Sequence, residues 1–151
     1  ILVGFPRSGK STWSIKNSID ALVVEPDWIR KNILGHQFHK PAEPIIWLIA
    51  DSFIRIALGQ NKNVILDGTN LWAFVRKKYI TLAKDMGKYV DCVWIDTPME
   101  ECIRRNNVSP EGQKLPHDIL IQKQDVFEPP TDGEGFDRIC RVNETEILNN
   151  G

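Results

Sequence analysis

Residues Gly4-Phe5-Pro6-Arg7-Ser8-Gly9-Lys10-Ser11 fit the spacing G-x4-G-K-[ST], and Thr12 follows. Each residue type has a physical task at its place. Glycines let the backbone curl so that successive N–H groups point inward at an anion. A helix that starts where the loop ends adds partial positive charge. Lys10 is then placed to reach the β- and γ-phosphates of a nucleotide, and the Ser11 hydroxyl to ligate Mg²⁺. Asp67 closes the apolar run Val64-Ile65-Leu66. A carboxylate at the end of a buried strand is positioned to hold that metal directly or through water. The bland alternative is a strand-end Asp that caps the Asp67–Asn70 turn. Asp67-Gly68-Thr69 also looks like half of a D-x-D-G-T phosphatase motif, but the nucleophile would stand at position 65, which is Ile.

A second set of groups follows the second apolar run, in Asp27-Trp28-Ile29-Arg30. Asp27 and Arg30, three residues apart on a helix, share a face. Beside a phosphate loop, Asp27 would accept a proton from an attacking hydroxyl while Arg30 grips a phosphate or carboxylate of the acceptor. Without that loop, Asp27 as a helix cap and Arg30 as a surface charge would be preferred. Trp28 is placed to stack on an acceptor base, although packing is the favoured explanation. His36 and His39 form an H-x-x-H pair without the further ligands that zinc requires. Arg76-Lys77-Lys78 is the densest basic run and reads as a solvated helix face.

These groups need a scaffold, and the apolar pattern supplies one. Short runs rich in Val or Ile at Ile1–Val3, Ala21–Glu25, Asn63–Leu66, Tyr89–Ile95 and Arg138–Val142 read as strands. Between them lie helical patterns. One opens at Pro44, carries the stripe Ile45, Ile49, Phe53 and Ile56, and ends at Gly59. Another carries Trp72, Val75, Tyr79, Leu82 and Met86 before Gly87. Thr97-Pro98-Met99-Glu100 reads as a capping box with Pro at the first helical position, opening a helix to about Asn106. Polar, Gly- and Pro-marked segments at Val108–Pro116 and Glu128–Gly135 read as loops. The order β-α-β-α-α-β-α-β-α-α-β predicts an α/β fold: a three-layer domain whose central parallel sheet of about five strands carries helices on both faces.

Composition agrees with one domain over residues 1–151, a size that buries a core without staples. Apolar residues at 42% and charged residues at 26% exclude a disordered chain and a collagen. With 19 basic and 20 acidic residues, the chain has no general pull toward polyanions, so any nucleic acid is expected to be held locally, near an end. Cys92, Cys102 and Cys140 are odd in number and lack CxxC spacing, which argues against a disulfide scaffold or structural zinc and for a reducing cytosol. No run is long enough to span a membrane. The chain begins Ile-Leu-Val-Gly without Met and is expected to be a trimmed domain.

Taken in order, the motifs resemble the 5′-hydroxyl polynucleotide kinase family of P-loop kinases, which includes the kinase domains of phage and animal polynucleotide kinase/phosphatase proteins. The resemblance rests on Gly4–Thr12 with Trp13, Asp27-x-x-Arg30, Asp67-Gly68-Thr69-Asn70-Leu71, Arg104-Arg105-Asn106, Leu115-Pro116-His117-Asp118-Ile119-Leu120, Phe127-Glu128-Pro129-Pro130 and Glu134-Gly135-Phe136. It implies that ATP and Mg²⁺ sit on Gly4–Thr12, that Asp27 activates a 5′-hydroxyl, and that Arg30 binds an acceptor phosphate. It also implies a lid over about residues 104–120, with Arg105 at its first arginine position. Some phage members carry a second lid Arg where this chain has Ser109, and Lys114 or Arg104 would have to substitute. The expected function is transfer of the γ-phosphoryl group from ATP to a hydroxyl, the 5′-OH end of RNA or DNA. Two readings compete: a small-molecule kinase acting on a nucleoside, sugar or antibiotic, and a nucleotide-gated binding module without transfer.

Overall fold

The computed structural model describes residues 1–35 and 39–143. His36, half of the H-x-x-H pair, lies outside the described residues. Among the described residues, five strands and six helices follow the order expected from the sequence. They are β1 (Leu2–Val3), α1 (Lys10–Lys16), β2 (Ala21–Val24), α2 (Pro26–Ile33), α3 (Glu43–Gly59), β3 (Asn63–Leu66), α4 (Ala73–Asp85), β4 (Asp91–Ile95), α5 (Met99–Asn107), α6 (His117–Asp125) and β5 (Arg138–Val142). Single 3₁₀ turns occur at Lys40–Ala42, Glu111–Gln113 and Asp132–Glu134.

Every strand pairing is parallel, as expected when helices connect the strands. β1 pairs with β4 and β4 with β5, while β2 pairs with β3 in a separate ladder. The β1 and β3 edges are joined by other means. The Gly4 N–H donates to the Thr69 carbonyl at 3.1 Å, and the Asn70 side-chain amide donates to the Leu2 carbonyl at 2.7 Å. The turn Asp67–Asn70 thus closes the seam just where the phosphate loop leaves β1.

The core forms where β2 and β3 meet α2, α3 and α4, around Val24, Ile29, Ile46, Ile54, Leu66 and Tyr79. A second cluster of Leu2, Val93 and Ile95 takes Trp13 of α1 against it. Burying a side chain of this size contributes about 1.5–3 kcal/mol, so these clusters hold β1 and β3 rigidly behind the site. Cys92 is fully buried, as its apolar run predicts, and burial pushes its thiol up to about 11. The cysteines are free thiols.

Three expectations are corrected. On α3 the buried row is Ile46, Ala50, Ile54 and Ala57, whereas Ile45 and Ile56 are 52% and 60% exposed. The helical period was legible but its phase was not, because the helix carries two adjacent apolar stripes. The alanines decide it, since their small side chains let the helix approach the sheet closely. Trp72 stands at the N-cap of α4 and is partly exposed rather than in the core. Thr97 does not cap α5, whose N-cap is Pro98; its hydroxyl donates to the Ser8 carbonyl of the phosphate loop at 2.7 Å.

Candidate functional site

The loop from Gly4 to Gly9 is shaped by its backbone. Gly4 has φ 153°, and a Cβ there would lie 2.7 Å from the Ile95 carbonyl oxygen and 2.9 Å from Ser8 Oγ. Gly9 caps α1 with φ 106°, so both motif glycines sit in conformations that side chains rarely adopt. Arg7 also takes a left-handed conformation, φ 66°. Such a position costs about 1 kcal/mol for a non-glycine residue, and strained backbone of this kind gathers at ligand clamps.

Lys10 is buried at the start of α1 and spans the loop. Its ammonium donates to the Gly4 carbonyl at 3.0 Å and the Phe5 carbonyl at 2.6 Å. Burial pulls its pKa down to about 8, against the opposing pull of Asp67. Asp67 is buried at the end of β3 and accepts a hydrogen bond from Ser14 Oγ at 2.9 Å, while its N–H continues the ladder to the Val24 carbonyl. Asp67 therefore looks into the loop from a fixed position, and the turn-capping alternative does not describe its side chain.

Helix α5 closes the other wall. Arg105 donates through Nε to Glu101 at 2.7 Å and through Nη1 to the carbonyls of Arg7 and Ser8 at 3.2 and 3.3 Å. Arg104 instead forks onto Glu101 on the exposed side. A cleft of about 340 Å³ is lined by Arg7, Gly9, Lys10, Ser11, Thr12, Arg105 and Ser109. Cations, hydroxyls and backbone N–H groups form this lining, the donor set of a polyphosphate site. Ser109 occupies the wall where the second lid arginine was sought, its hydroxyl bonded to the Arg105 carbonyl at 2.9 Å. Arg7 reaches the Gln113 carbonyl, tying the segment after α5 to the loop. Lys114 pairs with Glu111 instead of entering the cleft lining.

The residues also fit a nucleotide-bound Mg²⁺. Among the described residues no group of three or more His, Cys, Asp or Glu side chains is arranged to hold a metal. Mg²⁺ at such sites relies on one or two protein donors with phosphates and water completing the shell. Exposed Ser11 and buried Asp67 are donors of that kind among the described residues.

Asp27 and Arg30 do share a face of α2. Arg30 Nη1 donates to Asp27 Oδ1 at 2.5 Å, and Asp27 itself is 86% exposed. The main partner of Arg30 is Glu43 of α3, which takes Nε and Nη2 in a bidentate pair at 2.7 and 2.6 Å. That pairing raises the Arg30 pKa and lowers that of Glu43. Trp28, expected to pack, is 53% exposed beside Asp27.

Sequence reasoning missed several groups here. Glu25, which ends β2 and caps α2, is held above its ordinary pKa by burial and by Asp67 and Asp27. Its place at the carboxyl end of a strand was the available signal. Arg76, read as part of a solvated face, is fully buried. It donates to both carboxylate oxygens of Glu134 at 2.7 Å and to the Asn70 and Leu71 carbonyls at 2.9 and 3.0 Å. Glu128 accepts from the Ala73 N–H at the start of α4, and Phe127 packs edge-on against Phe5 at 5.0 Å. The Phe127–Pro130 and Glu134–Phe136 motifs thus brace the Asp67–Leu71 turn and the loop.

Residues 1–130 match the family described as AAA domain. The chain belongs to that AAA domain family. One relative, L-seryl-tRNA(Sec) kinase of Methanococcus maripaludis, is 28% identical over 99% of this chain and 62% of its own length. Another, the bifunctional polynucleotide phosphatase/kinase of Schizosaccharomyces pombe, is 29% identical over 94% of this chain and 32% of its own length. The chain therefore spans less than two thirds of either relative. Among solved structures, the Mycobacterium tuberculosis APS kinase CysC, in complex with AMPPNP and APS, superimposes with a TM-score of 0.67 at 17% identity, covering 99% of this chain and 94% of that one. This likeness establishes the P-loop kinase type of α/β fold for the AAA domain chain. Among the described residues no helix is long and apolar enough to cross a membrane.

Proposed function

We propose that this AAA domain protein is an ATP- and Mg²⁺-dependent phosphotransferase that moves the γ-phosphoryl group to the 5′-hydroxyl end of a nucleic acid. One observation carries the reading. Lys10 and Arg105 converge on one phosphate loop, while the exposed Asp27 carboxylate stands on the acceptor side, within electrostatic reach of Lys10. The work asked of such a site is positioning and charge compensation rather than covalent catalysis.

Each residue has a task in this reading. The loop N–H groups and Lys10 hold the β- and γ-phosphates. Ser11 and Asp67 would hold Mg²⁺, which when bound would supply neutralising charge. Arg105, steadied by Glu101, is aimed at the loop and offsets charge on the phosphoryl group in transit. Asp27 accepts the proton of the attacking hydroxyl, and Arg30, anchored on Glu43, sets the orientation of that carboxylate. Residues 104–120 act as the lid, tethered to the loop through Arg7 and Gln113. The exposed ring of Trp28 offers a stacking face for an acceptor base beside Asp27.

A second acceptor is favoured by one comparison. The relative that aligns over 99% of this chain is named as a kinase of seryl-tRNA(Sec), so a seryl hydroxyl carried on a tRNA end is the competing substrate. The deciding assay is transfer of labelled γ-phosphate from ATP, with Mg²⁺, to a 5′-OH oligonucleotide, to its 5′-phosphorylated control and to seryl-tRNA, with Lys10→Ala alongside. Label on the 5′-OH strand alone, lost in the variant, is the expected result. Label on seryl-tRNA alone selects the competing acceptor, and label on none of them removes the proposal.

A further inference from the structure

Ser14 is a buried polar group beside the metal donors to which the proposed mechanism gives no task. It stands on α1, three residues after Ser11 and so on the same face of that helix, and is 2% exposed. Leu66 points into the core with Ile46 and Ile54 of α3, so strand alternation turns Asp67 to the opposite face, toward α1. There Ser14 Oγ lies 2.9 Å from Asp67 Oδ2 and 3.1 Å from the Ser11 carbonyl oxygen. A hydroxyl has one proton and both neighbours are acceptors, so the charged oxygen takes the stronger bond. One buried hydroxyl thus joins the backbone of one metal donor to the side chain of the other.

The two carboxylate oxygens of Asp67 differ as a result. Among the described residues, Ser14 is the one hydrogen-bond donor to this carboxylate and no buried side-chain oxygen lacks a partner, so Oδ1 is the oxygen left open. How many oxygens a carboxylate offers matters to the choice of cation. Mg²⁺ demands octahedral geometry, keeps several waters and takes few protein oxygens. Ca²⁺ gathers about six to eight oxygens in looser geometry and often takes both from one carboxylate.

We infer that Ser14 is a positioning residue that sets the metal selectivity of the site. By occupying Oδ2 it makes Asp67 a donor of one fixed oxygen, which suits Mg²⁺ and disfavours Ca²⁺. The inference rests on the nucleotide-bound metal of the phosphotransferase reading and deepens it.

The test uses the full chain as wild type, Ser14→Ala, Asp67→Asn and the double variant. Each is held in excess over a non-hydrolysable ATP analogue with Mn²⁺, and the bound Mn²⁺, followed by paramagnetic resonance, is displaced with Mg²⁺ or with Ca²⁺. The readout is the ratio of the two displacement constants. The wild type is expected to prefer Mg²⁺, and Ser14→Ala to lose about tenfold of that preference, the low end of what a partner of a metal ligand is worth. In Asp67→Asn the preference is already reduced, and adding Ser14→Ala should change it no further. A merely structural role would weaken both cations alike and leave the ratio unmoved. Equal displacement by both cations in the wild type, an unchanged ratio in Ser14→Ala, or an equal drop in the Asp67→Asn background overturns the inference. Should Ser14→Ala fail to fold, Ser14→Cys, of nearly the same size but a weaker donor, is read against the same outcomes. Transfer from ATP and Mg²⁺ by the wild type judges the phosphotransferase reading separately, so transfer with an unchanged ratio removes Ser14 alone. A wild type that binds no Mn²⁺ with the analogue overturns the inference together with the nucleotide-bound metal.

Discussion

Lys10 and Asp27 are charged groups within electrostatic reach of each other, yet the chain holds them in opposite ways. Lys10 is buried, bonded to two loop carbonyls and set on a helix whose N-cap glycine takes a left-handed φ that other residues rarely adopt. Asp27 is 86% exposed and is held by one side-chain contact, from Arg30. Around Lys10, Thr97 and Arg105 both grip the carbonyl of Ser8, so the donor side is fixed by contacts from β4's end and α5. On the acceptor side the ordering is indirect, running from Glu43 to Arg30 to Asp27. A donor site must present one geometry to one polyphosphate before anything else binds. An acceptor site must let a larger molecule in and out, and an exposed carboxylate serves that at the cost of preorganisation.

The largest expected effect separates the two sides directly. Lys10→Ala should lower transfer by about 10³-fold or more and weaken ATP binding with it. Asp27→Ala should lower transfer by about 10²- to 10⁴-fold and leave ATP affinity nearly intact, since the residue is not among those lining the phosphate-loop cleft. Steady-state transfer read alongside nucleotide titration checks both. Full activity in Asp27→Ala would remove the base from the mechanism, and a parallel loss of ATP affinity would show that the two sides are one unit.

The next effect concerns how the donor side is kept rigid. Arg76 is fully buried, and its partner Glu134 sits 58 residues away. Arg76→Leu strands that carboxylate and unties the carbonyls of Asn70 and Leu71, behind the turn that carries Asp67. Breaking a buried pair from one side costs about 3–5 kcal/mol. The expected result is a lower urea midpoint, partly restored when Glu134→Gln removes the orphaned charge. A single variant as stable as the wild type would show that the clamp does not hold the turn.

Why the sequence revealed one side better than the other follows from range. The loop is legible because Gly4, Gly9, Lys10 and Ser11 act within eight consecutive residues, where backbone conformation and motif coincide. β3 and β5 are found at their expected bounds for the same local reason. What failed depends on partners far along the chain. Arg76 reads as a solvated basic run until Glu134 is brought to it, and Thr97 reads as a cap because the carbonyl it prefers belongs to residue 8. The phase of α3 was hidden for a different reason, that Ile45 and Ile46 are equally apolar and only Ala50 and Ala57 choose between them.

The smallest effect uses pH to sharpen the same contrast, because burial pulls Lys10 well below its ordinary range. Its pKa in the folded chain is about 8, against 10.5 for the free side chain, with burial as the main cause. Between those values the unfolded chain binds more protons than the folded one, so Lys10 makes stability rise with pH across that window. Nucleotide binding has the opposite slope. Phosphate needs the ammonium, and bound phosphate raises its pKa, so binding above pH 8 must take up a proton. Affinity should then fall by up to about tenfold per pH unit from 8 upward. Because other groups titrate in the same range, the quantity to follow is the difference between wild type and Lys10→Met. The variant should lose both slopes together, gaining stability relative to wild type below pH 8 and binding nucleotide weakly at every pH. Affinity in the wild type that stays level from pH 7 to about 9.5 would mean that Lys10 keeps its proton throughout. Burial on the donor side would then govern geometry alone and not charge.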